Sequence, residues 1–200
     1  MNMRNEPAAP TEQVLTEDEF YAMGEDCNYQ FLGGELVMEP NSLLHEQVFA
    51  FLDRLVGLYL EERGGGIATG SRYPMRLDAR WSPEPDLMVV LDAKRHLLGT
   101  QRLEGPADLV IEIASSSDPA IDLRRKLPRY REAGVPEMWL IDPYARSLRV
   151  EVLAPGGYRT RVLAAGRLDS AVLPGFWIDV AWLWQDPLPP VLPCLRQILA

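Results

Sequence analysis

Apolar residues between positions 44 and 59 recur every three to four residues, which is the spacing of one face of an α-helix. They are Leu44, Val48, Phe51, Leu52, Leu55 and Tyr59. The pattern predicts an amphipathic helix over residues 42–62, ended by the glycines at 64–66.

Two further helices are indicated by their first residues. Thr16 and Glu19 form a capping box, in which each side chain accepts a hydrogen bond from the other residue's backbone N–H, so we predict a helix over residues 16–23. Asp118 followed by proline predicts the start of a helix over residues 119–133, in which Pro128 should bend or locally break the helix.

The remaining apolar segments have the length and composition of strands. Residues 29–38 predict a hairpin that turns at two glycines, and residues 147–153 and 158–163 predict a second hairpin at the edge of a sheet. Strands are also expected at 67–78, 85–91, 107–114 and 137–141. The nearly continuous apolar run at 107–114 is typical of a strand covered on both faces.

The order of these elements predicts the fold class. A strand, a helix and a strand over residues 107–141 imply a parallel crossover, whereas the hairpins are antiparallel, so the sheet should be mixed. We expect one α/β domain over residues 15–185, a flexible tail at 1–14 and an extended proline-rich tail at 186–200. Three tryptophans in residues 171–184 should pack against one flank of the domain.

Composition restricts the classes of function. No apolar run is long enough for a membrane helix and no signal-peptide pattern opens the chain, so a cytoplasmic protein is expected. Cys27 and Cys194 lie far apart, which favours reduced thiols over a zinc site.

The net charge of −9 argues against broad attraction to nucleic acid, but the charge is unevenly distributed. Residues 1–62 contain 13 acids and two bases, whereas residues 63–200 contain 18 bases and 16 acids. Five bases lie within positions 124–131 and form either a phosphate-binding patch or a solvated helix face.

Two acids at the strands 85–91 and 107–114 are candidates for chemistry. If this antiparallel pair closes symmetrically about Gly99, Asp86 and Glu112 face each other at roughly 5 Å between Cβ atoms, close enough to share a cation. A buried carboxylate needs a cation, an arginine or a raised pKa, so an arginine-paired Glu112 is the structural alternative. Mg²⁺ suits such a pair because it prefers oxygen ligands, with Mn²⁺ as an alternative ion.

Lys126 lies on the helix that follows the Glu112 strand. A lysine near a metal-dependent hydrolytic site can orient water or offset developing charge. Asp122, Lys126 and Tyr130 share one helix face, so Lys126 either reaches the two acids or pairs with Asp122.

Three stretches of the sequence, taken together, resemble one known family. They are residues 34–38 (GELVM), residues 108–115 (DLVIEIAS), and residues 134–143 (GVPEMWLIDP) preceded by Asp122, Lys126 and Tyr130. Over residues 15–185 the chain resembles the Uma family of bacterial endonucleases, within the PD-(D/E)XK nuclease superfamily.

The resemblance implies a restriction-endonuclease-like three-layer core and divalent-metal hydrolysis of phosphodiester bonds. Pro85-Asp86 then corresponds to the PD element and Glu112 to the second acid. The lysine expected two residues later is replaced by Ala114, and the resemblance suggests that Lys126 supplies the ammonium. Glu35 and His45 also match family positions, as a further carboxylate and a polar group near the metal; a helix-terminal His45 with no ligand role is the alternative.

Other enzyme classes lack their motifs. The pair His45-Glu46 is not a zinc-protease motif because position 49 is phenylalanine, and neither a glycine-flanked serine nor a phosphate-binding glycine loop occurs. The remaining alternative is a catalytically inactive nuclease-like fold that binds proteins or dimerises. The enzyme hypothesis requires Asp86, Glu112 and Lys126 to meet in one cleft, with nucleic acid, most simply DNA, as substrate and a homodimer as the assembly that cuts both strands.

Overall fold

The computed structural model of the chain describes residues 15–24, 29–38, 42–70, 72–115 and 121–200. The helices are α1 (Glu17–Ala22), α2 (Leu43–Arg63), α3 (Ile121–Glu132) and α4 (Val191–Leu199). The strands before α3 are β1 (Gln30–Leu32), β2 (Glu35–Val37), β3 (Gly66–Gly70), β4 (Met75–Arg76), β5 (Trp81–Ser82), β6 (Leu87–Leu91), β7 (Leu103–Glu104) and β8 (Leu109–Ile113). Those after it are β9 (Glu137–Asp142), β10 (Ser147–Ala154), β11 (Gly157–Leu163), β12 (Arg167–Asp169) and β13 (Trp177–Asp179).

A central sheet of six strands has the order β11-β10-β9-β8-β6-β3. Strands β8 and β9 are parallel and are joined through α3, whereas the other neighbours in this sheet are antiparallel. The predicted mixed sheet is therefore confirmed. The hairpin β10–β11 lies at its edge, as expected.

Helices cover both faces of this sheet and make three layers. Alternate residues of the strands, such as Leu109, Ile111 and Trp139, pack with the buried face of α2 in one core. Val110 and Met138 point the other way and pack with Tyr130 of α3. Because the side chains of a strand alternate between faces, a sheet covered on both sides needs the nearly continuous apolar runs seen in the sequence.

The helix starts follow from their caps. Thr16 and Glu19 form the predicted capping box at α1. The Ser42 hydroxyl accepts a hydrogen bond from the His45 backbone N–H at 3.2 Å and caps α2, which ends at Gly64 as expected. The N-cap expected at Asp118 lies outside the described residues, and α3 continues through Pro128 without interruption.

The prediction of one strand over residues 67–78 is wrong in detail. Strand β3 joins the central sheet, but the chain then leaves it, and β4 pairs with β7 in a separate parallel pair. Pro74, which has no N–H to donate to a ladder, separates the two. The hairpin β1–β2 is confirmed, and β5 extends it to three strands.

The prediction of an extended tail over residues 186–200 is also wrong. Its residues Val191–Leu199 form α4, which buries Cys194, Leu195 and Ile198 in the core shared with α2. Pro193 is compatible with this helix because it lies in the first turn, where its missing N–H has no helical acceptor. Trp182 belongs to this core, and Trp177 and Trp184 pack against it, as expected for a packed flank.

Some expectations fall outside what the structure describes, including the tail at 1–14 and Cys27. Cys194 is a buried free thiol, and burial raises its pKa. Among the described helices, none combines the length and the apolar character needed to cross a membrane.

Candidate active site

The antiparallel pair β6–β8 brings the two predicted acids together. Leu87 pairs with Ile111 and Met88 with Val110. The same register extended by one residue places Asp86 opposite Glu112, which is the arrangement that symmetric closure about Gly99 predicts. Both positions belong to the face of the sheet that α3 covers, since Met88 and Val110, two residues away, pack there.

Asp86 is fixed by two hydrogen bonds from different elements. Its Oδ2 accepts from the backbone N–H of Ile113 at 2.6 Å, and its Oδ1 lies 3.1 Å from Nε2 of His45 at the start of α2. The Asp86 side chain keeps 20% of its surface exposed, whereas that of His45 keeps 4%. Asp86 is therefore the acid of the pair that remains open to solvent.

His45 has an electrostatic link to this carboxylate. Burial by itself lowers the pKa of the imidazole, but the hydrogen bond and charge of Asp86 more than offset it, so the pKa of His45 is raised above its usual value. Its Nδ1 lies 3.4 Å from the Glu46 carboxylate without hydrogen-bond geometry. The neighbouring acids thus favour an imidazolium that donates to Asp86.

Glu112 lies deeper, where α3 covers the sheet. Its Oε2 is 3.1 Å from the Nζ of Lys126, and its Oε1 accepts a hydrogen bond from the Tyr130 hydroxyl. Glu112 and Lys126 are both buried, at 4% and 1% exposure. Lysine is therefore the cation partner of Glu112, and the Asp122 side chain, its alternative partner, lies outside the described residues.

Burial raises the pKa of Glu112 to about 7. The Lys126 ammonium and the Tyr130 hydroxyl oppose this rise, whereas the negative charge of Asp86 adds to it. The two carboxylates therefore repel each other across the β6–β8 pair. A cation placed between them would relieve this repulsion and favour the ionised form of Glu112.

Glu84 is a third acid, which the sequence argument missed. It lies two residues before Asp86, and burial raises its pKa to about 7 in spite of the positive charges of Arg72 and Lys126. Residues two apart in an extended segment project to the same side. That spacing around Pro85 is the signal in the sequence that could have identified Glu84 as a companion of Asp86.

Glu35 does not join the bonded group described above. Its carboxylate is 63% exposed and is paired with Arg125 of α3 at 2.8 Å. The same guanidinium donates to the Leu32 carbonyl, so it ties the β1–β2 hairpin to α3. Glu35 therefore contacts Arg125, the residue before Lys126 on α3. Among the described residues, no hydrogen bond joins Glu35 to Asp86 or Glu112.

The basic cluster at positions 124–131 divides among separate acids. Arg125 pairs with Glu35, Lys126 with Glu112, Arg129 with Glu132 and Arg131 with the buried Glu151. Arg124 lies on the exposed side of α3. Most of the bases in this cluster therefore form ion pairs with acids of the same chain, two of them buried and two exposed.

Gly70 allows the approach of β3 to the segment that carries Asp86. A Cβ atom added to Gly70 would lie 2.1 Å from the backbone oxygen of Asp86, far inside van der Waals contact. Gly70 pairs with Leu87, so any larger residue would push apart the edge of the sheet on which the acid is mounted.

The donor set fits a hard divalent cation. Each carboxylate oxygen of Asp86 and Glu112 contacts a hydrogen-bond donor among the described residues, and a carboxylate oxygen has a second lone pair with which it can bind a cation. Mg²⁺ needs only one or two carboxylates, with waters and phosphate oxygens completing its shell. In the described part of the chain no group of three or more histidine, cysteine or acidic side chains is placed to hold a metal alone, so a site here depends on such additional ligands.

The fold places the protein in the class of α/β proteins with a mixed sheet between helical layers. The crystal structure of a putative nuclease of the group DUF820, from Anabaena variabilis, superposes with a TM-score of 0.72 at 16% identity. The match covers 85% of this chain and 97% of the other. At this identity the likeness shows the fold alone.

The family follows from the sequence itself. Residues 17–181 match the model of the Uma2 family, described as putative restriction endonucleases, and the chain belongs to this family. This match confirms the resemblance noted from the motifs. No curated protein matches the chain significantly.

Proposed function

We propose that this protein is a metal-dependent endonuclease that hydrolyses phosphodiester bonds in DNA, with Mg²⁺ held by Asp86 and Glu112. The family supports a nuclease of the restriction-endonuclease type. The ion, the substrate and the residue roles are our proposal. Mn²⁺, which accepts the same oxygen ligands, is expected to replace Mg²⁺.

One observation carries this proposal. Two acids on adjacent strands face each other, and a buried lysine from the following helix lies 3.1 Å from the deeper one. A buried ion pair costs desolvation energy that packed apolar residues would not cost, so fold stability gives little reason for it. A hydrolytic site needs both charges at one place.

The residues divide the work between holding and activating. Asp86 and Glu112 would hold the ion, which supplies charge stabilisation at the scissile phosphate and activates water for attack. Ala114 stands where the family motif has a lysine. Lys126 takes over the role of that lysine and offsets the negative charge that develops on the phosphate. His45 orients Asp86, and Tyr130 orients Glu112.

We assign Glu35 the more distant role of a carboxylate at the edge of the site. Its ion pair with Arg125 holds the β1–β2 hairpin against α3, which also carries Lys126. Glu35→Gln is then expected to reduce the rate less than Asp86→Asn does. The alternative of an inactive binding module gains no support here, because it does not require the acids and lysine to converge.

Nicking of supercoiled plasmid DNA in Mg²⁺ tests the proposal. We expect cleavage by the unaltered protein and a loss of roughly 100-fold or more in Asp86→Asn, since a metal ion contributes several kcal/mol to such a transition state. Asp169→Asn, which changes an exposed carboxylate paired with Arg167, is the matched control and should cleave normally.

Binding of the ion has an independent measurement. A ligand at 100 times its Kd stabilises a protein by about 2.7 kcal/mol, so Mg²⁺ should raise the melting temperature of the unaltered protein and not that of Asp86→Asn. Absence of cleavage of both DNA and RNA in Mg²⁺ and in Mn²⁺, or equal cleavage by Asp86→Asn, would overturn the assignment. The homodimer remains part of the proposal, and light scattering of the protein with and without a DNA duplex tests it.

A further inference from the structure

A cavity of about 350 Å³ lies beside the proposed metal site. Glu84 is part of its lining, and this residue stands two positions before Asp86 and senses the charge of Lys126. The volume lies within the range of cavities that take small organic groups. Glu84 therefore links the lining of the cavity to the segment that carries Asp86.

Aromatic rings form part of the wall, and hydrogen bonds fix them. The Tyr73 hydroxyl donates to the Gly99 carbonyl at 2.7 Å, and the Tyr21 hydroxyl donates to the Ser82 hydroxyl at 2.8 Å. The guanidinium of Arg102 lies over the Tyr21 ring at 4.1 Å. Rings held in this way offer a flat partner surface at little cost in conformational entropy.

Polar side chains complete the lining of the cavity. Arg72 is a non-glycine residue held at φ 74°, a left-handed conformation that costs free energy and is found often at ligand sites. The amide of Gln101 and the hydroxyl of Thr100 can each donate and accept hydrogen bonds. Flat rings, a guanidinium and adaptable donors are the combination that recognises an unstacked base and its phosphate.

We propose that this cavity binds a single unstacked nucleobase of the substrate, next to the phosphate that is cleaved. Tyr73 is the stacking surface, and Arg72 contacts the neighbouring phosphate. This inference rests on the proposed nuclease function and makes it more specific. A base can enter such a cavity only when it is out of the double helix, so the substrate is single-stranded nucleic acid or a duplex with an unpaired nucleotide.

The test measures binding apart from cleavage. Fluorescence anisotropy of a labelled 12-nucleotide single strand and of the same strand in a perfect duplex is recorded at low salt with EDTA, which prevents metal-dependent cleavage. We expect the single strand to bind more tightly than the duplex. Tyr73→Leu should weaken single-strand binding roughly 5- to 150-fold, the effect of losing one stacked base, whereas Tyr73→Phe retains the ring and the affinity.

Tyr158→Leu is the matched control. Tyr158 is also half-buried and also donates to a backbone carbonyl, that of Val135 at 2.8 Å, but it lies on β11 and not in the cavity. Its substitution should leave binding within about twofold. Circular dichroism of each variant checks that the fold is retained.

The outcomes separate this inference from the proposed function. Tight single-strand binding that requires the Tyr73 ring, without any cleavage in Mg²⁺, would support the cavity and overturn the nuclease. Three results, each combined with cleavage in Mg²⁺, would leave the nuclease function standing and overturn the role of the cavity. They are undiminished single-strand binding by Tyr73→Leu, tighter binding of the duplex than of the single strand, and no detectable single-strand binding in EDTA.

Discussion

Replacement of Lys126 by methionine tests the buried ion pair. Methionine preserves much of the length of the side chain and removes its charge, so Glu112 keeps its burial but loses the ammonium at 3.1 Å. Removing one partner of a buried pair costs about 3–5 kcal/mol when the other stays ionised. This is a large part of the roughly 5–15 kcal/mol by which a domain is stable.

The cost should depend on pH. The pKa of Glu112 is about 7 in the folded protein and 4.5 without the fold, so at pH 5.5 the folded state holds a proton on this carboxyl. Lys126 then faces a neutral carboxyl group, so Lys126→Met should change the free energy of unfolding little at pH 5.5. At pH 8 Glu112 is ionised in the unaltered protein, whereas in Lys126→Met the loss of the ammonium raises its pKa further, so the variant must either take up a proton or keep an unpaired buried charge. Lys126→Met should therefore cost more stability at pH 8 than at pH 5.5.

Urea denaturation followed by tryptophan fluorescence at pH 5.5 and pH 8 measures this difference. The double variant Lys126→Met/Glu112→Gln should recover most of the stability at pH 8, because it removes the unpaired charge and leaves an acceptor for the Tyr130 hydroxyl. Arg95→Met, which breaks an exposed pair with Asp92, is the control and should cost less than about 1 kcal/mol. Equal stability of Lys126→Met and the unaltered protein at pH 8, or strictly additive effects in the double variant, would refute the reasoning.

Four further predictions follow from single contacts. The pKa of His45, followed by NMR, should exceed 6.5 and fall below it in Asp86→Asn, because burial then acts without the carboxylate; an unchanged pKa would contradict this. Glu84→Gln should abolish the loss of stability that Glu84 causes as pH rises from 4.5 to 7, since the raised pKa of Glu84 makes the folded state bind more protons in that range and glutamine does not titrate; parallel pH profiles of the variant and the unaltered protein in urea denaturation would refute it. Leu195→Ala in α4 should cost about 2–5 kcal/mol in urea denaturation, against less than about 0.5 kcal/mol for the exposed Leu192→Ala; similar costs would mean that α4 is not packed. Gly70→Ala should lower the Mg²⁺-induced rise in melting temperature because its Cβ meets the Asp86 backbone, whereas Gly57→Ala, with open space around it, should not.

The sequence indicated the central part of the site because its signals are local. The apolar runs of β6 and β8 identified two strands, and their symmetric closure about Gly99 placed Asp86 opposite Glu112. The helical spacing of Lys126 and Tyr130 put both side chains on one face of α3, and both contact Glu112. The role of these residues in catalysis remains a prediction.

Other features depended on contacts between distant parts of the chain. Sequence alone did not decide between Asp122 and Glu112 as the partner of Lys126, since both are compatible with its position on α3. The family resemblance predicts Glu35 as a further carboxylate near the metal, and only the structure shows that it pairs with Arg125. An ion pair forms with whichever opposite charge the fold brings within reach, and spacing along the chain does not record that.

The proline-rich C-terminus shows the same division. Composition favoured an extended tail over 186–200. In the structure, α4 packs against the core that contains the buried face of α2, and three of its side chains are buried there. The sequence by itself determined most of the strands of the central sheet, the helices α1 to α3 and the mixed character of the sheet, because hydrophobic periodicity and caps act within a few residues. Only the tertiary structure decided which charges meet, where α4 packs and which cavity adjoins the acids, because burial and electrostatic pairing are set by neighbours in space.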